Sequence, residues 1–236
     1  AMPILTLDRL GDLPAAQWNA LLADAQPFVQ HGFLSVLEDS GSVGPGTGWQ
    51  PAHRLLVDVH GTPLAALPGY VKQHSYGEYV FDMAWADACA RAGIDYYPKL
   101  LTAVPFTPVT GPRLLGDAAL LSPLLDQISA GLPEQGLTSW HVNFTDAAAD
   151  QLLRGRDGWL ERLGCQFLWH NRGYRDFADF LDQLTSRKRK QLRKEREQVA
   201  GQGIEFEWCE GRQLSEPEWD FVYACYANTY HVRGRQ

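Results

Sequence analysis

A strongly basic run lies at the start of a predicted helix near the C-terminal end of the chain. Residues 186–196 hold seven Lys and Arg side chains against a single acid, Glu195, whereas the whole chain has a net charge of −7. The remaining residues therefore carry −13, and the run is a local exception. Phosphate is the ligand that such cations and the free amides of a helix start favour. The alternative is an ordinary solvated basic face.

Helical periodicity predicts that one helix ends and a new one begins just before this run. A continuous helix would put Lys188 in the middle of the apolar stripe formed by Phe177, Leu181 and Leu192. A break removes that conflict and makes Ser186 the predicted N-cap. Cations in the first turn interact unfavourably with the positive end of the helix dipole, and an anionic ligand would relieve this repulsion. The predicted anion-binding residues are Ser186, Arg187, Lys188, Arg189, Lys190 and Arg193.

A second candidate site is the turn Arg113-Leu-Leu-Gly116-Asp117-Ala118, between a predicted strand and a predicted helix. It fits the R-x-x-G-x-A pattern with which GNAT acyltransferases offer backbone amides to the pyrophosphate of an acyl-CoA. Asp117 places a negative charge where the phosphates would lie. The prediction is that Arg113, Gly116 and Ala118 bind the coenzyme, and the alternative is an ordinary strand-to-helix turn.

The segment 72–99 is unusually dense in aromatic and polar side chains. Binding surfaces favour such residues, because each combines a large contact area with a polar tip. The alternative is that many of them are core residues with one hydrogen bond. The predicted substrate-binding residues in this segment are Tyr79, Asp82, Tyr96, Tyr97 and Lys99.

A short alternating run at 139–144 offers a pair of candidate catalytic residues. His141 and Asn143 lie on the strand face opposite Trp140 and Phe144. They could present a base and an orienting amide to a cleft. The alternative is a structural histidine.

The composition is that of an ordinary globular chain of 236 residues, with 45% hydrophobic and 21% charged side chains. The sequence shows neither an apolar run of the roughly 18 residues that a membrane helix needs nor a signal peptide. The four cysteines lie far apart, which predicts neither a metal site nor a disulfide framework. We therefore expect a cytoplasmic protein without a metal; the sequence leaves its oligomeric state open.

Periodicity and turn residues predict a scaffold of alternating helices and strands, hence the α/β (α+β) class. The predicted helices cover residues 13–25, 30–39, 81–92, 118–129, 147–163, 176–184, 186–200 and 215–230. The predicted strands are a hairpin at 53–59 and 63–72, an extended stretch at 99–115, and the runs 139–144, 166–171 and 204–209. A first domain is expected at 2–165 and the beginning of a second, apparently truncated one at 166–236.

Four runs of residues resemble a known family, and together they extend over much of the chain. They are Gly77-Glu-Tyr-Val-Phe-Asp82, Tyr96-Tyr-Pro-Lys99, Val104-Pro-Phe-Thr-Pro-Val-Thr-Gly-Pro-Arg113 and Ser186-Arg-Lys-Arg-Lys190. In these runs the chain is similar to the bacterial FemAB-like proteins of peptidoglycan biosynthesis or recognition, within the GNAT superfamily.

The resemblance implies a GNAT-like mixed twisted sheet flanked by helices, followed by the start of a second GNAT-like half. It also implies an N-acyltransferase that passes an acyl or aminoacyl group to an amine, with a small molecule or a peptidoglycan precursor as acceptor. Acyl-CoA and aminoacyl-tRNA both stay open as donors, the latter making tRNA a candidate partner. The alternative is a non-catalytic module that recognises a cell-wall precursor or a protein.

Overall fold

The chain forms two compact units in a computed structural model that describes residues 2–234, and the boundary lies between Cys165 and Gln166. The α-helices in the described residues are α1 (Ala15–Asn19), α2 (His31–Asp39), α3 (Met83–Arg91), α4 (Ala118–Gly131), α5 (Ala147–Leu153), α6 (Phe177–Asp182), α7 (Ser186–Ala200) and α8 (Glu216–Val232). Short 3-10 turns lie at Leu10–Asp12, Pro27–Val29, Pro133–Gln135 and Gly211–Gln213.

The first unit contains two four-stranded sheets. Their strands are β1 (Ile4–Leu7), β2 (Trp49–Pro51), β3 (His53–Val57), β4 (Pro63–Leu67), β5 (Gly69–Lys72), β6 (Lys99–Thr102), β7 (Leu115–Gly116) and β8 (Trp140–Val142). The first sheet has the order β1-β3-β4-β7 and is antiparallel. The second has the order β2-β5-β6-β8 and is mixed, because β6 and β8 are parallel. The predicted α/β class is confirmed.

The first sheet is buried on both faces, as the alternation along β3 shows. Leu56 packs in a core that includes Leu121, Leu124 and Ile128 of α4. The neighbouring Leu55 points the other way, into a core with Trp18 of α1 and Leu34 of α2. The sheet therefore forms the middle layer between helices on either side.

Helix α4 illustrates how local sequence fixes an element of this scaffold. Its apolar residues recur at the spacing of one helical face, namely Leu121, Leu124, Leu125 and Ile128. Asp117 is the N-cap, and its side chain accepts a hydrogen bond from the Ala119 amide at 2.9 Å. The predicted helix at 118–129 is therefore confirmed, two residues longer than expected.

The predicted hairpin is also confirmed, with one feature that the sequence did not reveal. Strands β3 and β4 pair antiparallel, but the second run does not continue as one strand to Lys72. Pro68 interrupts it, and β5 pairs with β2 and β6 in the second sheet instead. This change of sheet brings Lys72 next to Lys99 on β6.

Two predicted helices are shorter in the structure than in the sequence pattern. The helix expected at 147–163 ends at Leu153, because Gly155 adopts a positive φ of 77° that terminates it. The helix expected at 13–25 covers only Ala15–Asn19 and is followed by turns. Apolar periodicity continues through both turns, which explains the overestimate.

The second unit has α6, α7 and α8 near their expected positions, but its predicted strands are wrong. Within the described residues, 166–171 and 204–209 form no strand. A strand needs a partner for its amides and carbonyls, and these two runs do not pair with each other. Their apolar side chains are exposed, with Phe167 at 97% and Trp208 at 99%. That the two units are GNAT-like halves stays a prediction.

None of the helices within residues 2–234 combines the length and the apolarity that crossing a membrane requires.

The dependence of the first unit on its central layer gives a stability prediction. Leu56→Ala should lower the free energy of unfolding by roughly 2–5 kcal/mol, because Leu56 is fully buried beneath α4 and its truncation leaves a cavity. Urea unfolding followed by circular dichroism would measure the change. Leu5→Ala is the matched control, since Leu5 on β1 is 48% exposed. Equal losses in the two variants would contradict the assigned layer order.

Candidate functional site

A row of three side chains crosses the second sheet and forms the base of the candidate site. Trp49 on β2 pairs with Lys72 on β5, which in turn pairs with Lys99 on β6. Directly opposite residues on neighbouring strands point to the same face, so the two ammonium groups lie side by side. Both lysines are fully buried. Such an arrangement requires negative charge nearby, because like charges in register repel.

Two buried carboxylates from the following segment supply that charge. The Lys99 ammonium donates to Glu78 Oε2 at 3.0 Å and to Asp82 Oδ2 at 2.8 Å. Its third hydrogen bond goes to Ser75 Oγ at 2.8 Å, so all three of its donors are used. The Tyr96 hydroxyl also donates to Asp82 Oδ2, at 2.7 Å. We call these five residues the Lys99 cluster.

The two carboxylates respond differently to burial. Burial alone would raise the pKa of Asp82, but hydrogen bonds from Lys99, Ser75 and Tyr96 outweigh it and hold that pKa at about 2. Burial raises the pKa of Glu78, and the charge of Lys99 only partly opposes this effect. Asp82 is therefore a fixed anion, whereas Glu78 is the more basic carboxylate of the pair.

Lys72 lies in a less polar environment than Lys99. Its ammonium is 3.6 Å from the centroid of the Trp49 ring and donates to the Tyr76 carbonyl at 3.3 Å. Burial is the main cause that lowers the pKa of Lys72 to about 7; the charge of Glu78 opposes this shift, and the charge of Lys99 contributes to it. Lys72 therefore changes its charge near neutral pH.

The loop that carries the carboxylates has an unusual backbone. Tyr79 and Phe81 have positive φ angles of 59° and 51°, a region that residues with a Cβ rarely occupy. Glu78 and Asp82 are buried, while Tyr79 is 48% and Phe81 71% exposed. Backbone strain of this kind persists where surrounding contacts impose it, and the bonds to Lys99 provide such contacts.

His141 joins this arrangement from the neighbouring strand β8. It pairs with Leu101 on β6, and its ring makes an edge contact with the Tyr96 ring at a centroid distance of 5.8 Å. Burial, together with the charge of Lys99, lowers the pKa of His141 to about 4. The imidazole is therefore neutral near pH 7.

The side chains of His141, Glu78 and Asp82 each offer one potential ligand atom, and these three atoms lie within 4.8 Å of one another. This geometry is able to hold a cation.

Asn143, the predicted partner of His141, is buried just beyond the end of β8. Its backbone N–H donates to the Thr102 carbonyl at 3.0 Å, and its backbone carbonyl accepts from Arg113 Nε at 2.9 Å. Its side-chain Nδ2 has no hydrogen-bond partner in the described part of the chain. The catalytic role of both residues stays a prediction.

Arg113, predicted to bind a coenzyme, is completely buried and braces the chain. Besides the Asn143 carbonyl, its guanidinium donates to the Pro112 and Val109 carbonyls at 3.1 and 2.5 Å. Burial lowers the pKa of Arg113 to about 10. Gly116 has a positive φ of 104°, and a Cβ there would lie 2.4 Å from the Leu64 carbonyl oxygen.

Ala118 is the first residue of α4, where the Asp117 carboxylate already bonds a first-turn amide. Arg113, Gly116 and Ala118 thus each have a structural role in the strand-to-helix turn. Their predicted contact with an acyl-CoA stays a prediction.

The basic run forms α7 in the second unit, with its first residue at Ser186 as expected. The prediction that Ser186 is the N-cap is wrong by one residue, because Thr185 has the non-helical backbone of the cap and makes no side-chain cap bond. Arg187, Lys188, Lys190 and Arg193 are exposed. Arg189 is half-buried and donates to Asp182 at 3.1 Å and to the Leu184 carbonyl at 3.2 Å.

The structure thus brings together Asp82, Tyr96 and Lys99 from the predicted substrate-binding set, with Tyr97 bonded to Ser75 at 2.7 Å. Tyr79 lies on the exposed side of the same loop. Sequence reasoning missed Lys72 and Ser75 as site residues, and it placed Glu78 in the candidate segment without including it among the predicted binding residues. A lysine at the end of an apolar strand is the signal that could have found Lys72.

Comparison with known proteins gives the following results. The sequence of residues 9–236 matches the FemAB-like family, described as peptidoglycan biosynthesis/recognition. No curated protein sequence matches the chain. Among solved structures, the chain is similar to the aminoglycoside 6'-N-acetyltransferase AAC(6')-Ih from Acinetobacter baumannii, at 15% identity and a TM-score of 0.37, covering 73% of this chain and 100% of that one.

The fold and the Lys99 cluster define a mixed α/β protein with a buried centre of paired charges beneath a strained loop. Because the match extends over nearly the whole sequence, the chain belongs to the FemAB-like family.

Removing the central ammonium should destabilise the first unit. Lys99→Met would leave Glu78 and Asp82 buried without their common partner, at a cost of roughly 3–5 kcal/mol in the free energy of unfolding. Lys188→Met is the matched control, because Lys188 is exposed on α7. Urea unfolding of both variants tests this, and a loss below about 1 kcal/mol in Lys99→Met would refute the central role of Lys99.

The lowered pKa of Lys72 predicts a pH dependence of stability. Above pH 7 the folded protein releases the Lys72 proton, whereas the unfolded chain keeps it up to about pH 10.4. The unfolded state then binds more protons, so the contribution of Lys72 to the free energy of unfolding rises with pH. Urea unfolding of wild type and Lys72→Met at pH 7 and pH 9 should show wild type gaining relative to the variant. A constant difference would mean that Lys72 titrates normally.

Proposed function

We propose that this protein is an N-acyltransferase that passes an acyl or aminoacyl group to an amine, with a peptidoglycan precursor as the acceptor. The observation that carries the proposal is the membership of residues 9–236 in a family of peptidoglycan biosynthesis/recognition. The resemblance of the sequence to the GNAT superfamily supports N-acyl transfer as the type of reaction. Both acyl-CoA and aminoacyl-tRNA fit as donors.

The chemistry that this reaction demands of the protein is modest. A thioester or aminoacyl ester is already activated, so catalysis consists of orienting the amine, removing its proton and polarising the carbonyl. His141, which is neutral near pH 7, and the buried Asn143 amide are the groups we assign to orienting the acceptor. Glu78, whose pKa is raised by burial, is a further proton acceptor close to His141.

Phosphate binding is assigned to α7 in the second unit. Its first turn presents exposed cations at Arg187, Lys188 and Lys190, and Thr185 makes no side-chain bond to its amides. Acyl-CoA, tRNA and nucleotide-linked precursors all offer phosphates to such a site. The Arg113 guanidinium, by contrast, already donates to three backbone carbonyls.

The second candidate function is a recognition module without catalysis. The observation that favours it is the exposure of Tyr76, Tyr79, Phe81 and Trp85 on the segment that the Lys99 cluster anchors. Rigid aromatic side chains supply contact area at a low entropic cost. A cell-wall precursor or a protein would then bind there without being modified.

We also propose a cytoplasmic location, where nucleotide-linked precursors and acyl donors are available. The four cysteines are free in the structure, in keeping with a reducing compartment.

The proposal predicts that the basic side chains of α7 are needed for ligand binding. Calorimetry should detect binding of a nucleotide-linked muropeptide, an acyl-CoA or an aminoacyl-tRNA, and Arg187→Ala with Lys188→Ala and Lys190→Ala should weaken it at least about tenfold, or 1.4 kcal/mol. Arg189 is left intact because it pairs with Asp182. The matched control is Arg172→Ala with Arg233→Ala, two exposed arginines of the same unit.

Mass spectrometry of the acceptor after incubation with each donor separates the two functions. An acylated product supports the transferase, whereas binding of the precursor without a product in any combination supports the recognition module. Unchanged affinity in the α7 variant would overturn the assignment of phosphate binding to that helix.

A further inference from the structure

We infer that Glu78, Asp82 and His141 form a binding site for a divalent transition-metal cation. The two carboxylates come from the loop after β5 and the imidazole from β8, and one ligand atom of each lies within 4.8 Å of the others. Spacing in the sequence gave no indication of this site, because the ligands come from distant segments. The site shares Glu78 and His141 with the residues that we assign to the proposed transferase, but its test measures metal binding and needs no transfer activity.

The hydrogen bonds of the cluster leave one oxygen of each carboxylate available. Lys99 bonds Glu78 Oε2 and Asp82 Oδ2, and Tyr96 bonds the same Asp82 oxygen. The opposite oxygens, Glu78 Oε1 and Asp82 Oδ1, are buried and have no hydrogen-bond partner within residues 2–234. Glu78 is 3% and Asp82 1% exposed. A buried carboxylate oxygen without a partner is costly, and a bound cation would satisfy both oxygens at once.

The charges of the site also favour a cation. Glu78 and Asp82 carry two negative charges, while Lys99 is the ammonium bonded to them. These three side chains therefore keep one negative charge, which the neighbouring Lys72 does not cancel above pH 7, where its ammonium loses its proton. Hydrogen bonds from Lys99 and Tyr96 fix the orientation of the carboxylates, as partners of metal ligands do in known sites.

The ligand types indicate which cations would bind. Two carboxylate oxygens and one imidazole nitrogen suit Zn²⁺ or Mn²⁺, and the imidazole disfavours Mg²⁺ and Ca²⁺, which prefer oxygen ligands. Three protein ligands would leave at least one coordination position for water or another small ligand. A cation here would tie the strained loop to β8.

The test uses the full chain after dialysis against a chelator, with Zn²⁺, Mn²⁺ and Mg²⁺ as separate probes. Calorimetry should show one Zn²⁺ per chain, weaker binding of Mn²⁺ and weakest binding of Mg²⁺. His141→Ala should weaken Zn²⁺ binding at least about tenfold while leaving the Lys99 ion pairs intact. His60→Ala is the matched control, because His60 is exposed on the β3–β4 turn.

A second variant, Glu78→Gln, removes a negative charge and keeps an oxygen that can accept from Lys99. It should also lose Zn²⁺ binding, and circular dichroism checks that it folds. The inference is overturned if Zn²⁺ does not bind to the wild type, or if His141→Ala binds it as tightly as His60→Ala does. Equally strong binding of Mg²⁺ would overturn the assignment to a transition metal.

Discussion

The bond between the Lys99 ammonium and its two carboxylates is the interaction on which the polar centre of the first unit depends. Register in the second sheet places Lys72 and Lys99 side by side in a buried layer. Such charges are tolerated only with partners, because desolvation of an ion costs several kcal/mol. Glu78 and Asp82 are the partners of Lys99, and the backbone between them adopts two rare positive φ angles.

This arrangement separates the two sides of the loop. Carboxylates point inward to the sheet, while Tyr79 and Phe81 are exposed on the outside. The charge network thus anchors the loop that carries these exposed aromatic side chains, and it places two buried carboxylates close to His141. The second unit distributes charge in the opposite way, with its cations exposed on α7. The buried charges of the first unit fix the conformation of a loop, whereas the exposed cations of the second unit are accessible to a ligand.

The turn from Arg113 to Ala118 shows how one sequence pattern serves two physical demands. An arginine and a glycine at this spacing favour anion binding, but the same residue types also solve packing problems. Arg113 donates to three backbone carbonyls, and Gly116 allows β7 to approach the β4 backbone closely. The pattern alone does not distinguish these roles, because both depend on the same donors and the same lack of a side chain.

The sequence by itself determined the α/β class, the helices α2, α4 and α7, the β3–β4 hairpin and the family. The reason is that periodicity, helix caps and the residues of a motif are local properties of the sequence. It also pointed to Asp82, Tyr96 and Lys99 through the density of polar aromatic residues in their segment. Only the tertiary structure decided that Pro68 sends β5 into a second sheet, that Lys72 faces Lys99, and that Glu78, Asp82 and His141 converge. The reason is physical: strand pairing between distant segments sets which side chains share a buried face, and no local pattern encodes that register.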